Sequence, residues 1–159
     1  MKDAGQADIA MISSGSLRVD LNPGAVTREN VMNLFPFTDT LTVVELTGDN
    51  VQELLEYSYT LPYGLAQFSG IKATYDSTQP EGERLISLSI NGEPVSENQK
   101  YKVATYSYAA SGGDGYTVFN KGETLSNGDP VMQALIEGFQ ERKNITVPEL
   151  GRQVDVSRQ

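Results

Sequence analysis

Three short stretches carry the residues best suited to holding a ligand. Ser13-Ser14-Gly15-Ser16-Leu17-Arg18 follows a short apolar run. Its small residues let the backbone pass close to a bound group, and Arg18 offers a planar fork for a phosphate or carboxylate. Gly112-Gly113-Asp114-Gly115 follows a strand-like segment. Its glycines let N–H groups converge, and Asp114 can accept hydrogen bonds from vicinal hydroxyls. Phe37 lies just after Pro36, and Tyr108 sits where a strand gives way to a loop. Two rings at element ends can clamp a planar base by offset stacking. Each stretch also has a plainer meaning: a tight turn with a solvated arginine, an Asx-turn in a glycine-rich connection, and rings packed into a core.

What the chain lacks narrows its chemistry. It has no histidine and no cysteine. Zinc and manganese hydrolytic sites usually draw on imidazole, and histidine is the commonest general base. No acidic cluster has calcium-loop spacing. No catalytic or metal-ligating residue is therefore assigned, and no cofactor is expected in this chain. The formal net charge of −9 argues against nucleic acid as a partner, because long-range repulsion opposes binding to a polyphosphate. A small anion gripped by one arginine remains compatible. No window holds eighteen consecutive apolar residues, so no membrane span is expected, and Met1 to Gly5 shows no signal-peptide h-region.

The elements that must position these residues follow from pattern. Residues 1–159 are expected to form one domain, long enough to bury a core without disulfides. Ile9 to Ile12 is a short buried strand. Thr27 caps a helix from Arg28 to Phe35 that Pro36 stops. Leu41 to Leu46 is a β-branched strand, and Thr47-Gly48-Asp49-Asn50 opens a helix with Val51, Leu54, Leu55 and Tyr59 at helical spacing. Ile71 to Tyr75 and Leu85 to Ile90 alternate as half-buried strands, and Asn91-Gly92 suits a type I′ turn. Tyr101 to Tyr108 is a further strand. Asp129-Pro130 predicts a capped helix with Pro130 at its first position and a stripe of Val131, Leu135, Ile136 and Phe139. Val154 to Val156 adds a terminal strand. Strands and helices mix without regular alternation, which gives an α+β class.

Taken in order, the motifs resemble the C-terminal domain of the 5′-nucleotidase and UDP-sugar hydrolase family. The matching residues are Ile12-Ser13-Ser14-Gly15-Ser16-Leu17-Arg18, Leu34-Phe35-Pro36-Phe37 and Val43-Val44-Glu45-Leu46-Thr47-Gly48. Gln67-Phe68-Ser69-Gly70-Ile71 with Tyr75-Asp76, and Ala104-Thr105 leading to Ala110-Ser111-Gly112-Gly113-Asp114-Gly115-Tyr116, complete the set. The resemblance spans roughly Ala7 to Gln140.

What the resemblance implies is a layered α/β/β/α domain with mixed strands, acting as the substrate-binding part of a two-domain phosphoric monoester hydrolase. Its partners would be a nucleoside or nucleotide and an N-terminal metallophosphoesterase domain carrying two divalent metal ions. The isolated chain is then expected to be inactive. By the same resemblance, Arg18 faces the phosphate and ribose side, Phe37 and Tyr108 stack on the base, and Asp114 accepts the ribose hydroxyls. Gly64 matches a backbone contact near the base. Ser13 stands where many members have Asn, and Asp39 stands where bacterial relatives often place an Asn against the base edge. An extracytoplasmic location, periplasm or cell surface, follows from the family alone. Alternatives are the same domain in a 2′,3′-cyclic-nucleotide phosphodiesterase or UDP-sugar hydrolase, or a non-catalytic binding module whose site has decayed.

Overall fold

The computed structural model describes residues 1–148 and 150–158. Two mixed sheets hold the domain together, giving the α+β architecture expected. The first sheet contains β1 (Ile9–Ile12), β2 (Thr40–Thr47), β3 (Gln67–Ser69), β7 (Lys100–Tyr106) and β8 (Glu123–Pro130), in the order β3-β1-β7-β2-β8. The second contains β4 (Ile71–Tyr75), β5 (Leu85–Ile90), β6 (Glu93–Pro94) and β9 (Gln153–Asp155), in the order β6-β5-β4-β9. The β1–β7 and β4–β9 pairs are parallel and the others antiparallel.

The central strands β1, β2 and β7 are buried nearly throughout, which accounts for their β-branched and aromatic runs. One segment serves both sheets: β3 passes into β4 through Gly70 at φ +86°, where a Cβ would overlap the Asp8 carbonyl oxygen. Asn91 and Gly92 both take positive φ, 52° and 93°, and close the β5–β6 hairpin as their types predict.

Among the described residues, four α-helices complete the fold. In α1 (Arg28–Leu34), Thr27 and Asn30 form a capping box, each side chain accepting from the other's backbone N–H. The stripe Val51, Leu54, Leu55 of α2 (Gly48–Ser58) is fully buried, and this helix contacts β2 and β7 of one sheet and β5 of the other. Helices α1 and α4 (Val131–Arg142) pack on each other, with α4 against β2 and β8. A single turn, α3 (Ser107–Ala110), follows β7 directly.

Three expectations need correction, and one strand had no expectation behind it. The strand read through Tyr108 ends at Tyr106, and Tyr108 lies in α3. Residues 123–130 form β8 although every one is exposed and Asn127-Gly128-Asp129-Pro130 has turn composition. The free edge of β2 supplies its partner, with register shifts between Thr40 and Thr42 and between Val43 and Val44. Asp129 does not cap α4: Pro130 ends β8 and is itself the N-cap, with no side-chain cap bond, so Val131 is the first helical residue. The last strand sits one residue earlier than expected, because Val156 begins a 3-10 turn. Among the described residues, no helix is long and apolar enough to cross a membrane.

Candidate nucleoside-binding face

Phe37 and Tyr108 are the outer members of two aromatic pairs spaced two residues apart. Phe35, at the end of α1, is fully buried, and Phe37 meets it edge to face at 5.2 Å. Tyr106, at the end of β7, is 2% exposed and lies 6.4 Å from Tyr108 at an interplanar angle of 28°. The two inner rings touch each other edge to face at 5.9 Å. A continuous aromatic ridge therefore runs Phe37–Phe35–Tyr106–Tyr108, buried in the middle and open at both ends. Tyr108 is 52% exposed, and Phe37 is half-buried.

Asp39 sets the position of Tyr108. Its Oδ1 accepts from the Ser107 hydroxyl at 2.7 Å and from the Tyr108 backbone N–H at 2.7 Å. The first N–H groups of a helical turn have no partner within the helix, and here a carboxylate 69 residues away supplies one. The same hydroxyl accepts from Thr40 N–H at 3.2 Å, and the Asp39 carbonyl accepts from Val131 N–H at 2.9 Å. Asp39 thus pins α3 and the start of α4 to the start of β2. This is why the chain turns helical at Ser107 rather than continuing as strand.

Arg18 reaches the opposite end of the ridge. Its guanidinium carbon lies 5.2 Å from the Phe37 ring centroid. The Arg18 N–H donates to the Leu34 carbonyl at 2.9 Å, which ties the Ser13–Arg18 stretch to α1. Among the described residues Arg18 takes part in no ion pair, so its charge faces solvent uncompensated.

Asp114 sits at φ 52° in the glycine loop. The Tyr108 ring lies so close to that loop that a Cβ at Gly113 would come within 2.6 Å of it. This close approach explains the glycine there. The Tyr108 hydroxyl donates to Asp114 Oδ1 at 3.4 Å, and the Tyr57 hydroxyl fixes the loop by donating to the Asp114 carbonyl at 2.7 Å. Asp114 itself is exposed.

Two of the expected residues are placed differently. Ser13 is 0% exposed, with its hydroxyl under the surface rather than on it. It shares the interior with Tyr106 and Tyr116, and none of the three hydroxyls has a partner at hydrogen-bonding geometry among the described residues. Burial pushes the Tyr106 phenol up, while the nearby Ser16 and Ser13 hydroxyls pull it the other way. Gly64 is exposed, at φ +109°, beside Ser14, whose hydroxyl donates to the Tyr63 carbonyl at 3.3 Å. The loop containing Gly64 therefore meets the Ser13–Ser16 turn, and its Tyr63 stands near Asp114 and Tyr108.

Four residues important to this face were not singled out from sequence. Phe35 and Tyr106 back the exposed rings, Tyr57 holds the glycine loop, and Tyr63 stands 52% exposed with its phenol raised by burial and by nearby Asp114. The i, i+2 spacing of Phe35 with Phe37 and of Tyr106 with Tyr108 was a usable signal for the first two. Arg18, Phe37, Tyr108 and Asp114 line neither of two cavities of about 620 and 270 Å³. The larger runs between Val19–Val26 and α1, beside Pro36. Among the described residues no group of three or more His, Cys, Asp or Glu is arranged to hold a metal ion.

Comparison with known proteins identifies the family and the fold. A family model described as the 5′-nucleotidase, C-terminal domain, matches residues 1–121. The trifunctional nucleotide phosphoesterase protein YfkN of Bacillus subtilis is 35% identical over 129 residues, covering 76% of this chain and 9% of that protein. The NAD 5′-nucleotidase of Haemophilus influenzae is 31% identical over 131 residues, covering 72% of this chain and 21% of that protein. The crystal structure of a 5′-nucleotidase precursor from Thermus thermophilus superposes with a TM-score of 0.87 at 25% identity, over 97% of this chain and 32% of that one. The chain thus spans less than a third of the length of each of these relatives. With the family model over residues 1–121 and the fold in agreement, the chain belongs to the 5′-nucleotidase family, as a C-terminal domain of that family.

Proposed function

We propose that this domain binds the nucleoside part of a nucleotide and presents its phosphate to a hydrolytic centre on a separate metallophosphoesterase domain. The observation that carries this reading is the aromatic ridge with its two open ends, flanked by an unpaired guanidinium at one end and an exposed carboxylate at the other. A base would stack at Phe37 and Tyr108. Asp114 would accept the ribose hydroxyls, and Arg18 would face the phosphate, where its fork is matched to the anion's oxygens. Ser13 and Gly64 would act from behind, by setting the turn that carries Arg18.

The open form of this face supports an interdomain site, because a wall supplied by another domain would leave such a surface on this one. Hydrolysis would then depend on two divalent metal ions held by that other domain, which supply an activated water and neutralise charge on the phosphoryl group. The contribution of the present residues is positioning: they fix base and sugar so that the phosphate projects at a set place. The substrate class favoured is nucleoside 5′-monophosphates, in an extracytoplasmic compartment.

Titration of the 159-residue chain with AMP, followed by amide shifts, tests this reading. Perturbations should concentrate at Phe37, Tyr108, Asp114 and Arg18 at millimolar ligand. No response there at that concentration would rule the site out. Phosphatase assays with added manganese or zinc should show no turnover by the isolated chain.

A further inference from the structure

Asp114 is carried by a loop whose glycines, left to themselves, would let the backbone move freely. Three of the four residues from Gly112 to Gly115 take left-handed conformations: Gly112 at φ 90°, Asp114 at 52° and Gly115 at 84°. Asp114 is the one of these three with a side chain, and such a residue keeps that conformation only where its surroundings fix it. Bonds made inside the segment are local, from Gly112 N–H to the Ala109 carbonyl at 2.9 Å and from Tyr116 N–H to the Gly113 carbonyl at 3.2 Å. The Tyr57 hydroxyl reaches the loop from another element and donates to the Asp114 carbonyl at 2.7 Å.

This hydroxyl is built into the loop rather than resting on it. A Cβ at Gly115 would overlap the Tyr57 hydroxyl oxygen and lie 2.7 Å from its Cζ, so the phenol fills the space that a side chain at 115 would need. The ring is held in turn. It meets the fully buried Tyr116 edge to face at 5.1 Å, and it belongs to the last turn of α2, whose stripe lies in the core. Beside it on α2, the Glu56 carboxylate accepts from the backbone N–H groups of Arg84 at 3.2 Å and Leu85 at 2.6 Å, which fixes the helix to β5.

Resting on the nucleoside reading above, we infer that Tyr57 is a positioning residue for sugar recognition, acting through Asp114. Its hydroxyl holds the peptide between Asp114 and Gly115 in the orientation that keeps the carboxylate beside the Tyr108 ring, where the Tyr108 hydroxyl meets Oδ1 at 3.4 Å. Without that bond the Asp114 backbone is free to leave the left-handed region, and rotation there carries the carboxylate away. Apparent affinity for a ligand with vicinal hydroxyls then falls with the fraction of time the loop spends in its binding form. A ligand without those hydroxyls loses nothing.

Tyr57→Phe removes the hydroxyl and keeps the ring against Tyr116. The experiment compares AMP with 2′,3′-dideoxy-AMP on the 159-residue chain, by amide shifts at Phe37 and Tyr108. Wild type should favour AMP. In Y57F, AMP should weaken about three- to tenfold, the worth of one hydrogen bond, and the dideoxy analogue by less than about twofold. D114A should abolish the difference between the two ligands, and Y57F/D114A should bind AMP no more weakly than D114A alone.

A ratio unmoved by Y57F would overturn the inference and leave the nucleoside site standing. Equal weakening of both ligands would do the same, because that is the effect of a merely structural tyrosine. Should Y57F fold poorly, Gly115→Ala gives an independent route: its Cβ displaces the hydroxyl, and the ratio should fall as in Y57F. Equal binding of both ligands by wild type would remove Asp114 from the sugar and the inference with it, with the ring contacts untouched. Silence at Phe37 and Tyr108 with both nucleotides would overturn the site as well.

Discussion

Tyr59 and Tyr75 stack with centroids 4.1 Å apart and planes 10° from parallel, and both are almost completely buried. Tyr106 and Tyr108 also lie close to parallel, yet the outer ring of that pair is half in solvent. The first pair joins the C-terminus of α2 to β4 and has nothing left to offer a ligand. The second ends in a ring held by a carboxylate, a glycine loop and a buried partner ring. Two clusters of the same residue type thus serve different ends. What separates them is whether the fold covers the last face, which is a property of packing rather than of aromatic character.

Substitutions should separate the two clusters sharply. Tyr75→Ala removes a ring the core depends on and should cost about 3–5 kcal/mol of stability in chemical denaturation. Below its lowered midpoint, nucleotide binding should survive. Tyr108→Ala should do the reverse: stability should change by no more than about 1 kcal/mol, while nucleotide affinity should fall at least about tenfold. Loss of fold in Y108A with unchanged affinity per folded molecule would erase the distinction between the clusters. Arg18→Gln should have a smaller effect, weakening AMP several-fold and adenosine hardly at all. Equal weakening of both would place Arg18 away from the phosphate.

The smallest expected effect lies far from the proposed site, in β9. Burial works against ionisation of Asp155, but hydrogen bonds from Ser77 and Ser157 outweigh it and hold its carboxyl at about 2. An unfolded aspartate titrates near about 3.9. A depressed folded-state value favours the folded state when the group is ionised, so this contribution is full above about pH 4 and is lost as pH falls through about 2. Amide signals of β9 and Ser77 should follow that titration, and Ser77→Ala should raise its midpoint. A midpoint near the ordinary carboxylate value in the wild type would contradict this assignment.

Much of this was legible in the residues because the signals were local. The Asn91-Gly92 turn, the Thr27 cap and the α2 stripe depend on neighbours within a few positions, and the structure carries all three. Phe37, Tyr108, Asp114 and Arg18 could be chosen by type and order, and a chain of contacts through the buried rings of Phe35 and Tyr106 links them.

What could not be read depends on distant partners. Strand β8 is polar and exposed along its whole length, and it is a strand because β2 offers it an edge. Asp39 caps a turn 69 residues away, and no sequence window contains both. Ser13, in a run of small polar residues, reads as surface. It is buried, with its hydroxyl near that of Tyr106, a residue more than ninety positions away.

A flat base lying against both exposed rings at once is the contact on which the proposed site depends. Intermolecular nuclear Overhauser effects between the bound nucleotide and the protein measure that contact directly. Cross-peaks are expected from the purine H8 to ring protons of both Phe37 and Tyr108, and from the ribose protons to the Asp114 loop. A nucleotide that binds and shows contacts to neither ring would contradict the site.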